Sequence, residues 1–439
     1  MKEISGKNVH NLLQDHILLD GYDFVLDLKK SNGSYIYDSR FDRKYLDFFT
    51  CFASMPIGYN HPSLDNDDFI YSLGKAALNK PSNSDLYTEE YASFVDNFFK
   101  KAVPGAFVHS FYISGGSLAV ENALKAAFDW KTRLNISKGL SSSKGSKVIY
   151  LNEAFHGRSG YTLSITNTLP DKVMLFPRFD WIKVSNPKII NPVNEANLED
   201  LERAENNSIN EIENAIASNP DDISSILLEP IQGEGGDNHF RTEYLKRIRE
   251  ICDNNDIMLI FDEVQTGGGL TGTFWVHEQL GVNPDILAFG KKMQVCGILA
   301  TSRIDEVPDT VFQSSSRINS TWGGDLVDMV RANKYLDIIY EESLLENSAK
   351  LGKDLISKLQ DLTTNYPRLI SNPRGRGLFA AFDIDSFKRQ DFLKLCMKEG
   401  LIILPCGKQS IRFRPPLNLS STELDEGLQI IEKSLSKLS

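Results

Sequence analysis

Leu259-Ile-Phe-Asp-Glu-Val-Gln265 and, further along, Ile286-Leu-Ala-Phe-Gly-Lys-Lys292 are the stretches on which the fold turns. In each, an unbroken apolar run ends abruptly in charged residues. A strand with one wet face alternates apolar with polar; a run apolar at every position is buried on both faces, as in a parallel sheet covered by helices. Val148–Leu151, Ile223–Leu228, Ile257–Phe261 and Ile286–Phe289 all read this way, with helical patterns between them. The expected fold is therefore α/β, with a mostly parallel central sheet. In such sheets ligands sit beyond the carboxyl ends of the strands, so Asp262 and Lys291 should face one crevice. Two chemistries fit: a structural Asp262–Lys291 ion pair with Lys292 at the surface, or a pyridoxal phosphate site. In the second, the lysine forms a Schiff base and the aspartate keeps the pyridine nitrogen protonated.

Working outward, strand-like alternation near Gly33–Tyr37 and Lys44–Phe49 predicts a small hairpin region at the N-terminus. The large domain is expected over 62–324, and residues 1–61 should join a smaller α+β domain formed by 325–439. Within the latter, Leu336 to Leu359 carry near-helical spacing as one long stretch. Leu378–Ile384 reads as a strand, Leu401–Leu404 as a further apolar run, and Ser420…Glu423 as a capping box opening the last helix.

Three further clusters stand out, the second and third of them at the ends of predicted strands. Ser114-Gly-Gly-Ser117 runs into a strong helix former, and small residues at a helix start leave backbone N–H groups aimed at one point, which suits a phosphate or serves only as a turn. Glu153-Ala-Phe-His-Gly-Arg158 supplies a ring that can stack on a flat heterocycle and a guanidinium fork for a carboxylate, or else a core Phe, a capping His and a surface Arg. Glu229-Pro-Ile-Gln-Gly-Glu-Gly-Gly236 sets Glu234 in a glycine-rich loop, and Ile411-Arg-Phe-Arg-Pro-Pro416 brings two arginines. If Glu234 meets Arg412, the pair is either a switch that masks a cation or a surface salt bridge.

Composition narrows the rest. The chain has 439 residues, 41% hydrophobic and 24% charged, with a formal net charge of −11 and no block of Lys or Arg, which argues against nucleic-acid binding. Five widely spaced cysteines suit reduced thiols and a cytoplasmic location. No apolar run approaches the roughly 20 residues needed to span a membrane, and the first residues lack the pattern of an export signal. The seven histidines form no HExxH or His/Cys pair, so no metal site is expected; Gly267-Gly-Gly-Leu-Thr-Gly272 lacks the lysine of a phosphate loop and reads as a turn.

Taken together, these motifs resemble the class III (ornithine/4-aminobutyrate type) aminotransferases of fold type I, and most closely their lysine ε-aminotransferase branch. The resemblance runs over nearly the whole chain. It is carried by Asn79–Asp85, Ala119–Trp130, Phe155–Ser164, Glu229–Asp237, Ala288–Gly297 and Asn319-Ser-Thr-Trp-Gly-Gly324. Leu270, where many class III members have Arg, and Cys296-Gly297, where Gly-Gly is common, point to the same branch.

The resemblance implies pyridoxal 5'-phosphate bound to Lys291 rather than Lys292, with Asp262 at the ring nitrogen, Gln265 at the phenolic oxygen, Phe155 stacked on the ring, and Gly116 and Ser117 at the phosphate. It implies that Thr321 reaches the phosphate of the neighbouring subunit in an obligate homodimer with shared active sites. Arg158, Asn319 and the Glu234–Arg412 pair would bind substrate. The activity implied is transfer of the ε-amino group of L-lysine to 2-oxoglutarate. The alternatives are another ω-aminotransferase, acting on ornithine or 4-aminobutyrate, and an aminomutase or racemase on the same scaffold.

Overall fold

The computed structural model describes residues 4–438. Its centre is a seven-stranded sheet in the order Phe107–Ile113, Cys296–Thr301, Ile286–Phe289, Met258–Asp262, Ile223–Leu228, Lys147–Leu151, Ile182–Val184. The last five of these strands are mutually parallel, and Cys296–Thr301 runs antiparallel to both its neighbours. Strand Met258–Asp262 explains why the sequence is apolar at every position. Met258 and Ile260 enter one core cluster, with Val120, Ala123, Leu124 and Ala127 of the helix Gly116–Ser137. Leu259 and Phe261 enter another, with Tyr244, Leu245 and Ile248 of the helix Thr242–Asn254. Each large side chain buried in this way contributes about 1.5–3 kcal/mol. The alanines let the Gly116–Ser137 helix lie close against the sheet.

A second, antiparallel sheet of four strands orders Ile370–Arg376, Phe379–Ile384, Ser410–Phe413 and Leu404–Cys406. The N-terminal hairpin Tyr35–Asp38/Arg43–Asp47 is antiparallel, and Leu401–Ile402 adds to it in parallel. The apolar run 401–404 thus divides between two sheets. The long helical stretch expected around 336–359 is also divided, into Leu326–Glu341 and Leu344–Asn365, because Ser343 adopts a left-handed φ of 52° between them. The capping box at Ser420 and Glu423 is present.

Gly267–Gly272 forms a turn in which Gly268, Gly269 and Gly272 have positive φ. At its tip Leu270 is buried, and its carbonyl accepts from Leu378 N (2.9 Å), Phe379 N (3.2 Å) and Ser348 Oγ (2.7 Å), tying the central sheet to the four-stranded one. Among the described residues no helix is long and apolar enough to cross a membrane.

Candidate active site

Five of the chemically suggestive segments leave the carboxyl ends of central strands: after Ile113, Leu151, Leu228, Asp262 and Phe289. Beyond Phe289 the chain makes a tight turn in which Lys291 has a φ of 49° and Gln294 one of 61°. The two lysines therefore diverge. Lys292 is buried, not at the surface, and donates to the Gln265 carbonyl at 2.6 Å; burial pushes its amine far below the usual lysine range. Among the described residues Lys291 Nζ has no hydrogen-bond or ion-pair partner, and it lies 6.0 Å from the centre of the Phe52 ring. Burial, then the neighbouring Arg412 and Arg414, lower its amine to about 8.

Asp262 does not pair with Lys291. Its Oδ2 lies 2.8 Å from His156 Nδ1, and its Oδ1 accepts from Val264 N at 3.1 Å. A carboxylate can only accept, so Nδ1 carries the proton, and His156 Nε2 is left buried without a partner.

The helix Gly116–Ser137 starts without a side-chain cap and without an acid in its first turn, so its first N–H groups and the positive end of its dipole are open to an anion. Ser117 Oγ is held 2.7 Å from Thr162 Oγ1 and 2.5 Å from Ser159 Oγ, which lie 3.0 Å from each other. Two glycines make this possible. A Cβ on Gly157 would fall 2.2 Å from Ser117 Oγ, and one on Gly116 would fall 2.9 Å from Val264 Cγ1. The first turn of the helix is thereby packed against the loop that follows Asp262.

Phe155, half-buried, has its backbone N–H bound at 2.9 Å by Glu229 Oε1, while Glu229 Oε2 accepts from Gly233 N at 2.9 Å. One buried carboxylate so brackets the loop of the ring and the loop of Glu234. Burial and then Asp262 raise it to about 8.

Glu234 and Arg412 meet as the sequence suggested, Oε2 to Nη2 at 2.8 Å, but Arg412 is buried, so the pair is no surface salt bridge. Glu234 Oε1 is simultaneously bound by Lys172 Nζ. Burial raises the Glu234 carboxyl, but Arg412 and Lys172 together bring it below the usual carboxylate range. Gln265 Oε1 accepts from Arg412 Nη1 (3.2 Å) and from Arg414 Nε (3.1 Å) and Nη2 (2.8 Å), so its amide N–H groups must face away from the arginines. Arg414 is fully buried and bound by both oxygens of the fully buried Asp237.

Arg158 is exposed and has no ion-pair partner among the described residues. Asn319 and Thr321 lie on an exposed loop anchored by Ser84 Oγ to Ser320 O (2.7 Å) and Asn83 N to Trp322 O (3.3 Å). The structure thus joins Lys291, Asp262, Gln265, Glu234 and Arg412 through shared contacts and charge, joins Gly116 and Ser117 to them through Val264 and the 155–162 loop, and brings Asn319 and Thr321 into contact with none of them.

Sequence reading missed Lys172, Arg414 with Asp237, the His156–Asp262 contact and the bracket at Glu229. Arg414 had a signal, since residues two apart on a strand share a face and Arg412 was already suspected. Lys172 had none.

Pyridoxal 5'-phosphate needs an unprotonated lysine, an anion beneath its ring nitrogen, a flat side chain and a phosphate cradle. An unpartnered amine, the Asp262 carboxylate, Phe155 and an uncapped helix start fit these needs.

Relatives agree with this chemistry. The chain is 47% identical over 429 residues to an L-lysine-epsilon aminotransferase of Mycobacterium tuberculosis, covering 97% of this chain and 95% of that one. It is 44% identical to one of Streptomyces clavuligerus, covering 99% and 95%. The solved structure of a lysine aminotransferase from M. tuberculosis in the internal aldimine form superposes with a TM-score of 0.97 at 46% identity, covering 99% of this chain and all of that one. The family model for class-III aminotransferases matches residues 20–435, and the chain belongs to that family.

Proposed function

We propose that this chain transfers the ε-amino group of L-lysine to 2-oxoglutarate, giving 2-aminoadipate 6-semialdehyde and L-glutamate. The observation that carries the reading is the Glu234–Arg412 pair beside Lys291. A cation neutralised by a carboxylate that can move suits a site that first takes a substrate whose reacting end has no carboxylate, then one with a carboxylate at each end.

Bound here, pyridoxal 5'-phosphate supplies an aldehyde and an electron-accepting ring that stabilises negative charge on the carbon losing its proton. Lys291, lowered to about 8, has a far larger neutral fraction near pH 7 than an ordinary lysine and can carry a proton to and from the substrate's terminal carbon. Asp262, oriented by His156 Nδ1–H, offers a carboxylate to the ring nitrogen, and Gln265 offers amide N–H groups to the ring oxygen. Gly116 and Ser117 would hold the phosphate, and Phe155 would stack on the ring. Arg158, exposed and unpaired, is free to grip the α-carboxylate of lysine while Glu234 covers Arg412. For 2-oxoglutarate, Glu234 leaves and Arg412 takes the α-carboxylate.

Asn319 and Thr321 complete the phosphate and substrate contacts in a second copy of the chain. Supporting this, Trp322, Leu86 and Tyr87 are large exposed apolar groups on the same loop and its anchor, a pattern typical of a protein interface. Five unpaired cysteines suit a reducing cytoplasm. The test is the visible spectrum of the purified protein. L-lysine should remove the absorbance of the aldehyde form of the cofactor, and 2-oxoglutarate should restore it. Faster bleaching with ornithine or 4-aminobutyrate would overturn the choice of donor.

A further inference from the structure

Glu234 is held by two cations at once, and only one of them has a role so far. Its Oε2 lies on Arg412 and its Oε1 on Lys172, which ends the short helical turn Pro170–Lys172. Lys172 Nζ also lies 5.3 Å from the centre of the Phe155 ring, so it stands at the site itself rather than at its rim. A partly buried carboxylate that leaves one guanidinium for nothing loses its partner in a poorly solvated place, which is strongly unfavourable. One that swings while keeping a second cation does not.

We propose that Lys172 is a specificity-determining residue: it is the second seat of the Glu234 carboxylate, and by holding Glu234 when Arg412 is released it sets how readily the site accepts a dicarboxylate. The proposal rests on the switch reading of Glu234 and Arg412. Both contacts coexist in the present arrangement, so rotation of the Glu234 side chain can free Arg412 without breaking the bond to Lys172. Without Lys172, Glu234 would have Arg412 alone. The mask would tighten, and the half of the reaction that needs Arg412 open would suffer.

The experiment uses holoenzyme and glutarate, an inert dicarboxylate with the carbon chain of 2-oxoglutarate, titrated by calorimetry alongside steady-state kinetics. Lys172→Met should weaken glutarate binding about two- to fivefold, as expected for loss of one partly exposed ionic contact. It should also raise KM for 2-oxoglutarate more than KM for lysine. Lys172→Arg, which keeps the charge, should recover most of the loss. Glu234→Ala should tighten glutarate, and adding Lys172→Met to it should then have no further effect. If Lys172→Met still weakens glutarate when Glu234 is alanine, Lys172 grips the ligand directly and the proposal fails. If Glu234→Ala tightens glutarate but Lys172→Met alone changes nothing, the proposal fails while the switch stands. If Glu234→Ala leaves glutarate binding unchanged, the switch itself is wrong, and the role of Lys172 falls with it.

Discussion

Lys291 should make the cofactor-free protein less stable than it would be without the charge. Its amine is buried without a hydrogen bond, beside Arg412 and Arg414, and falls from 10.5 to about 8 on folding. A gap of about 2.5 pH units corresponds to roughly 3 kcal/mol. Between pH 8 and 10.5 the unfolded chain holds a proton that the folded chain has lost, so stability rises with pH across that window and the full cost applies below pH 8. Lys291→Met keeps length and flexibility, tolerates the same backbone, and leaves no orphaned partner. We expect the cofactor-free variant to be more stable than the parent by about 2–3 kcal/mol at pH 7, with the difference shrinking as pH approaches 10.5. Urea unfolding followed by tryptophan fluorescence, at matched protein concentration and several pH values, measures it. Equal stability at pH 7, or a difference that does not vary between pH 7 and 10, would refute the view that this lysine is held against its preferred charge.

Glu234→Gln removes the mask charge from Arg412 while keeping its shape, and should shift the ratio of kcat/KM for lysine over glutamate toward glutamate by about tenfold, or ~1.4 kcal/mol; a donor panel reads it. Asp237→Ala leaves Arg414 buried with no counter-charge and should cost about 3–5 kcal/mol of stability, visible as a large drop in the urea midpoint. Gly116→Ala should weaken cofactor affinity by about tenfold, because the new Cβ meets Val264 Cγ1 at 2.9 Å and pushes the helix start away. Equilibrium dialysis should detect that loss, and adding Val264→Ala should reverse much of it.

Much of the architecture was legible for a physical reason. Strands buried on both faces must be apolar throughout, so Ile223–Leu228 and Ile286–Phe289 could be bounded by eye, and the rule that ligands sit beyond strand ends then selected Asp262 and Lys291. What local pattern could not supply was the break at Ser343, where one residue in a left-handed conformation redirects a helix whose apolar spacing continues on either side. The site was legible where a motif held all its partners and obscure where partners were remote. Glu234 and Lys172 are 62 positions apart, and Asp262 and His156 are 106 apart. Lys292 was misjudged as a surface residue in one reading, since nothing in a Lys-Lys pair says which amine the turn will fold inward.

The amide of Gln265 has an electrostatic consequence that its hydrogen bonds alone do not express. It sits where Arg412 and Arg414 converge, a place where a glutamate would satisfy both guanidinium groups better. Being neutral, it leaves their charge uncancelled. Two positive groups then face one permanent anion, Asp237, and one removable anion, Glu234. With Glu234 seated on Arg412, the four groups Arg412, Arg414, Asp237 and Glu234 sum to zero; with Glu234 swung onto Lys172 alone, the two arginines face only Asp237 and a single positive unit remains there, matching one incoming carboxylate. A Gln265→Glu enzyme would carry its counter-ion permanently and have nothing left to offer that guest.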